Sequence, residues 1–139
     1  MRKTGYVYEE LYTWHDSGSL SFNKWVEPES SWESPATKRR MHGLLCVSKM
    51  LDNLVPIRAR HANRVEITRF HTERYHDAIF EASKSTNGGD GGGDFCRFAQ
   101  GGYEIAALST GGVLAAVRYL NFAYYTYRCD ELVLTRTSI

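Results

Sequence analysis

Gly101-Gly102-Tyr103-Glu104-Ile105-Ala106-Ala107-Leu108-Ser109-Thr110-Gly111-Gly112-Val113-Leu114-Ala115-Ala116-Val117-Arg118-Tyr119-Leu120 decides how the rest of this 139-residue chain is read. The spacing predicts a helix from Tyr103 to about Leu120, with Ile105, Ala106, Leu108, Val113, Leu114 and Val117 making it apolar on nearly every side. Its longest apolar run, Ile105 to Val117, contains Ser109 and Thr110 and falls short of the about 20 residues that cross a bilayer. It is a buried helix that needs cover on more than one side. A chain of this length has difficulty supplying that cover alone.

On the N-terminal side of this helix, Asn87-Gly88-Gly89-Asp90-Gly91-Gly92-Gly93-Asp94 reads as a flexible connector, because repeated glycine raises the entropic cost of any regular element. On its C-terminal side, Phe122 to Tyr127 and Glu131 to Thr135 have the β-branched and aromatic content of two strands. Further back, Thr72 is placed to cap a helix carrying Tyr75, Ile79 and Phe80, and Asn63 with Glu66 has the form of a capping box for a short helix through Arg69. Leu54-Val55-Pro56-Ile57 is extended. Ser34-Pro35 starts a helix expected to reach about Asp52, with Met41, Leu44, Leu45, Ser48 and Leu51 on one face. Gly5-Tyr6-Val7-Tyr8 fits a first or edge strand. Between it and Ser34, residues Trp14 to Glu33 form a long loop with Trp14, Phe22, Trp25 and Trp32 interleaved, and loops of this length carry function or are disordered. No internal repeat is present.

Composition sets outer limits. With 42% hydrophobic, 24% charged and 13% aromatic residues, the chain reads as one domain able to bury roughly 68% of its unfolded surface, which argues against disorder. A net charge of +1 gives no field for nucleic acid or acidic lipid, so direct nucleic-acid and membrane partners are not expected. Cys46, Cys96 and Cys129 form no C-x-x-C pair and are odd in number, which reads as reduced thiols of a cytoplasmic protein. Met1-Arg2-Lys3 leads into Thr4-Gly5-Tyr6 rather than an apolar signal core.

The chemistry-bearing residues fail the motif tests. His71 and His76 are five apart, which separates them by roughly 140° on a helix, unlike the i, i+4 pair of a helical zinc site. His15-Asp16 is adjacent in a loop without a third ligand, so each histidine is read as structural. The glycine segment comes near a calcium nonapeptide but occurs once, and it lacks the lysine of a phosphate loop. Cys96 beside Arg97 has no sequence signature for a base. From the residues alone the chain is an α/β fragment with one aromatic loop and no displayed active site.

The order of several blocks is far more specific. Thr4-Gly5-Tyr6-Val7-Tyr8 followed by Trp14-His15-Asp16-Ser17-Gly18, then Glu33-Ser34-Pro35-Ala36-Thr37-Lys38-Arg39-Arg40, Phe70-His71-Thr72-Glu73-Arg74-Tyr75, and Gly101-Gly102-Tyr103-Glu104-Ile105-Ala106 with Gly111-Gly112 resemble the N-terminal part of histone-deacetylase-like amidohydrolases of the class II and bacterial branch. The resemblance covers residues 4–120, leaving 121–139 as a divergent tail of a single partial domain spanning 1–139. It implies a partial three-layer α/β/α arginase/deacetylase fold with a parallel sheet, truncated before the catalytic loops, with functional groups on loops at the carboxyl ends of strands. The family uses zinc to polarise an amide carbonyl and activate water, removing acyl groups from acetyl-lysine in proteins or from acetylated amines.

The resemblance carries no catalytic residue and no zinc ligand onto this chain, because the family's R-P-P-G-H-H segment and its ligands follow the matched helix, whereas here Tyr127-Arg128-Cys129-Asp130-Glu131 follows. No zinc is expected on the chain alone. Trp14, His15 and Asp16 match the rim of the acyl-lysine channel, Asp94 lies near the loop that contacts substrate backbone, and Arg40 matches the arginine of the internal acetate cavity. His71 and Tyr75 match packing positions. Two functions follow as expectations: the N-terminal portion of a zinc-dependent deacetylase, inactive alone, or a non-catalytic binding or regulatory module. The partners expected are the family's acetylated substrates and, for the uncovered faces, self-association or a complementing chain.

Overall fold

The computed structural model describes residues 4–15, 34–92 and 96–134, with side chains described up to residue 121. Strand β1 (Thr4–Tyr6) and strand β2 (Leu54–Pro56) pair in parallel, with Thr4 opposite Leu54, Gly5 opposite Val55 and Tyr6 opposite Pro56. The ladder continues one step as the Ile57 N–H donates to the Tyr6 carbonyl at 2.8 Å. Helix α1 (Pro35–Val47) makes the crossover between them.

Strand alternation sorts the layers. Tyr6 and Tyr8 point to α1, where both rings lie parallel to His42. Gly5 and Val7 point the other way, to helix α4 (Gly102–Leu134). A Cβ on Gly5 would stand 3.1 Å from the Tyr119 ring, and one on Gly112 would stand 3.1 Å from Val7 Cγ1. Helix, parallel sheet and helix therefore stack in three layers.

Local chemistry explains the helix starts. Ser34 accepts from the Ala36 N–H at 3.3 Å, with Pro35 at the first position of α1. Asn63 and Glu66 form the full capping box on α2 (Arg64–Ile67), and Thr72 caps α3 (Glu73–Ala82). The start of α4 is capped by a residue from another helix. Ser83, which ends α3 and is 1% exposed, accepts from the Tyr103 N–H at 3.0 Å and donates to Glu104 Oε2 at 2.9 Å, while its carbonyl takes the Gly101 N–H.

Four expectations need correction. Helix α1 stops at Val47 rather than near Asp52, because Lys49 adopts a left-handed backbone (φ 60°) that no α-helix continues, and a 3-10 turn, Met50–Asn53, leads into β2. Residues 68–69 belong to a turn, so α2 ends at Ile67. The glycine connector contains a short antiparallel ladder, strand β3 (Gly89–Asp90) with strand β4 (Arg97–Phe98). The segments expected as strands after Leu120 lie, up to Leu134, inside α4, since extending an existing helix adds one hydrogen bond per residue and overrides the β preference of the tyrosines.

The buried apolar core among the described residues is small: Ala62, Phe98, Ala107 and Leu108. Phe98 packs against Gly89 and Gly102, while Ala62 and Ala107 meet where the 60–62 segment crosses α4. There the Ala62 N–H donates to the Ala107 carbonyl at 2.8 Å, and a Cβ on Gly111 would overlap the Arg60 carbonyl oxygen. Only glycine permits that approach. The apolar residues of α1, by contrast, are not buried by any described residue.

Candidate functional site

Chain leaving the carboxyl end of β1 enters a 3-10 turn, Glu10–Trp14, which lies against the N-terminal half of α1. Glu10 ties the two together. Its carboxylate accepts from Tyr8 Oη at 2.6 Å, from Arg39 Nε at 2.7 Å and from Thr13 Oγ1 at 3.0 Å, and these donors hold its pKa down to about 2. The Tyr8 hydroxyl is correspondingly pushed up, chiefly by that same bond to Glu10. His42 is fixed between β1 and α1: Tyr8 stacks on it with centroids 3.8 Å apart, Tyr6 Oη lies 2.9 Å from Nδ1, and Cys46 Sγ lies 3.6 Å from Nε2.

Of the five expected site residues, three lie among the described residues: Trp14 and His15 follow β1 at its carboxyl end, and Arg40 lies on α1. Trp14 ends the 3-10 turn and is 68% exposed, and His15 follows it, also exposed. Arg40 is exposed on α1, next to Arg39, whose guanidinium is engaged with Glu10. Asp16 and Asp94 lie outside the described residues. Trp14 thus offers an exposed indole on the segment after the carboxyl end of β1, the end at which open parallel sheets bind ligands.

A second cluster carries no warning in the sequence. A cavity of about 410 Å³ lies between α2, α3 and α4, lined chiefly by Ile67, Phe70, Tyr75, Ile79, Tyr103 and Ala106. His76, 5% exposed, joins its wall: Nδ1 is 2.9 Å from Asp77 Oδ1 and Nε2 is 2.9 Å from Tyr103 Oη. Arg64 pairs with Asp77 and lowers its pKa, with His76 contributing second, while burial raises the Tyr103 hydroxyl. At the cavity edge, Arg60 forks onto Glu66 at 2.6 and 2.7 Å, holding that carboxylate at about 2. The i, i+1 spacing of His76 and Asp77 and the 27 residues separating His76 from Tyr103 form no motif that a sequence reading would catch. His71 precedes the cap of α3 rather than sharing its helix with His76, and its ring stands 5.2 Å from that of Tyr75.

The described residues do not fit a zinc centre. No three of His, Cys, Asp and Glu among them converge closely enough to hold a metal ion. Nor, among the described residues, is any helix long and apolar enough to cross a membrane.

This three-layer unit has the deacetylase fold in part. It superposes on the crystal structure of the HDA15 HD domain with a TM-score of 0.56, at 20% identity, covering 79% of this chain and 29% of that one. In sequence it is 36% identical over 123 residues to the histone deacetylase-like amidohydrolase of Pseudomonas aeruginosa, over 84% of this chain. The chain thus belongs to the histone-deacetylase-like amidohydrolases, and it spans 32% of the length of that relative. No protein-family model matches it.

Proposed function

We propose that this chain supplies the outer wall of the acyl-amide channel in a zinc-dependent deacetylase acting on acetyl-lysine or an acetylated amine, and that by itself it turns over no substrate. The observation that carries the reading is the bond from Arg39 to Glu10, which fastens the 3-10 turn ending in Trp14 to α1 after the carboxyl end of β1. Zinc, where the family holds it, polarises the amide carbonyl. The residues here do the binding work. Trp14 packs the aliphatic stem of the acyl-lysine, and His15 and Asp16 complete the rim. Asp94 holds the substrate backbone. Arg40 holds the released carboxylate through paired N–H donors, with Arg39 kept on Glu10 so that the two guanidinium groups have separate tasks. Its working place is the cytoplasm.

The test is chelator-controlled hydrolysis of an acetyl-lysine reporter by the purified chain supplied with zinc. The expected result is no turnover. Chelator-sensitive turnover would overturn the reading and require zinc ligands from within these residues.

A further inference from the structure

We propose that Cys46 is a modification site, a thiol whose proton His42 takes as the sulfur attacks a low-molecular-weight disulfide, leaving a mixed disulfide on α1. No residue of the channel wall takes part.

His42 and Cys46 stand four residues apart on α1, so their side chains share one face of the helix. Cys46 Sγ lies 3.6 Å from His42 Nε2, within reach for a hydrogen bond to sulfur, and the thiol is exposed and in no disulfide. The imidazole is held in place by the first strand. Tyr8 stacks on it with centroids 3.8 Å apart and planes 3° from parallel, the Tyr6 ring is parallel within 2°, and Tyr6 Oη is 2.9 Å from Nδ1. A nucleophile, a base within reach and a third group that orients the base are the three parts of an activated thiol. Cys46, His42 and Tyr6 supply them in that order.

Each contact has a task in the step. The thiolate is the nucleophile, and Cys46 lies in the last turn of α1, where the helix dipole opposes a new negative charge. A proton acceptor at the sulfur is therefore needed, and His42 Nε2 is in contact with it. As Sγ attacks one sulfur of the disulfide, its proton passes to Nε2 and the ring becomes a cation. The Nδ1 proton then donates to Tyr6 Oη, and the face of the Tyr8 ring lies against the charge. The new bond joins Sγ to the attacked sulfur and the original S–S bond breaks. The other half leaves as a thiolate, neutralised by the proton released from Nε2. Cys46 is oxidised, one half of the reagent is reduced to a free thiol, and no further oxidant enters.

The test treats the chain with glutathione disulfide as the probe and follows each cysteine by peptide mass spectrometry after quenching. Cys96, which is exposed as Cys46 is, serves as the internal reference. Cys46 should form the mixed disulfide at least about tenfold faster than Cys96, and His42→Gln should slow Cys46 by about the same factor. Tyr6→Phe, which keeps the ring and removes the hydroxyl, should slow it severalfold. The Cys96 rate should stay the same in both variants, which reports that they are folded. Should His42→Gln also shift the Cys96 rate, its fold has changed and Tyr6→Phe decides alone. Cys46 reacting no faster than Cys96 overturns the proposal, and so does an unchanged Cys46 rate in either variant.

Discussion

Gly111→Ala puts the packing of α4 to a quantitative test. The new Cβ would overlap the Arg60 carbonyl oxygen and lie 2.6 Å from the Ala62 nitrogen, where ordinary contact begins at 3.4 Å. Both neighbours are backbone, so no side chain can turn away. Relief requires the 60–62 segment to leave α4, which breaks the 2.8 Å bond from the Ala62 N–H to the Ala107 carbonyl. Overpacking costs about 1–3 kcal/mol and the lost hydrogen bond about 1 kcal/mol, giving about 2–4 kcal/mol in all. With an unfolding entropy of about 0.3 kcal/mol/K for a chain of this length, Tm should fall by about 7–14 °C. Gly43→Ala is the matched control. It too is a helical glycine, but no atom lies within 4 Å of its Cβ position, so the helix gains about 0.5–1 kcal/mol and Tm rises by about 2–3 °C. Thermal unfolding followed by circular dichroism reads both. A Gly111→Ala protein that melts at or above the parent would refute the crossing of α4 by residues 60–62.

Tyr103→Phe should cost about 1–3 kcal/mol in a urea titration, because the Asp77 carboxylate takes the Nδ1 proton of His76 and the buried Nε2 is then left without its hydroxyl donor. Glu10 and Glu66 both titrate at about 2 instead of 4.5. A depressed carboxylate stabilises the fold fully above its unfolded value, so their contribution is complete above pH 4.5 and disappears as pH falls toward 2. The stability gap between the parent and Glu66→Gln should therefore close over that window, and a gap that widens on acidification would contradict the Arg60–Glu66 assignment. Backbone chemical shifts of residues 122–134 should be helical, and extended-strand shifts there would disprove the continuation of α4.

Features that depend on neighbouring residues are legible in the sequence. The caps at Ser34-Pro35, Asn63 with Glu66, and Thr72 each depend on one side chain reaching a backbone N–H two or three residues on, so the sequence pattern is the interaction itself. Trp14 and His15 follow β1 within nine residues of its end, so their position after that strand is a matter of chain order. Features that depend on contacts between distant segments are not legible in this way. The end of α1 is set by the left-handed backbone of Lys49, a conformation that lysine has no intrinsic preference for. The capping of α4 by Ser83 and the bonding of His76 to Tyr103 join residues 20 and 27 positions apart. The apolar spacing of α1 marks a face at Met41, Leu44 and Leu45, but Ser48 and Leu51, read as its continuation, lie beyond the helix end at Val47. It does not say whether the cover for that face lies within these residues, and none of the described ones buries it.

The most direct measurement replaces the matched third of the Pseudomonas aeruginosa histone deacetylase-like amidohydrolase with this chain, in one polypeptide, and follows hydrolysis of an acetyl-lysine reporter with and without chelator. The account predicts chelator-sensitive turnover that Arg40→Ala lowers at least tenfold and that Trp14→Ala weakens mainly through KM. A chimera that folds, holds zinc and yet turns over nothing would contradict the claim that these residues build the wall of a deacetylase channel.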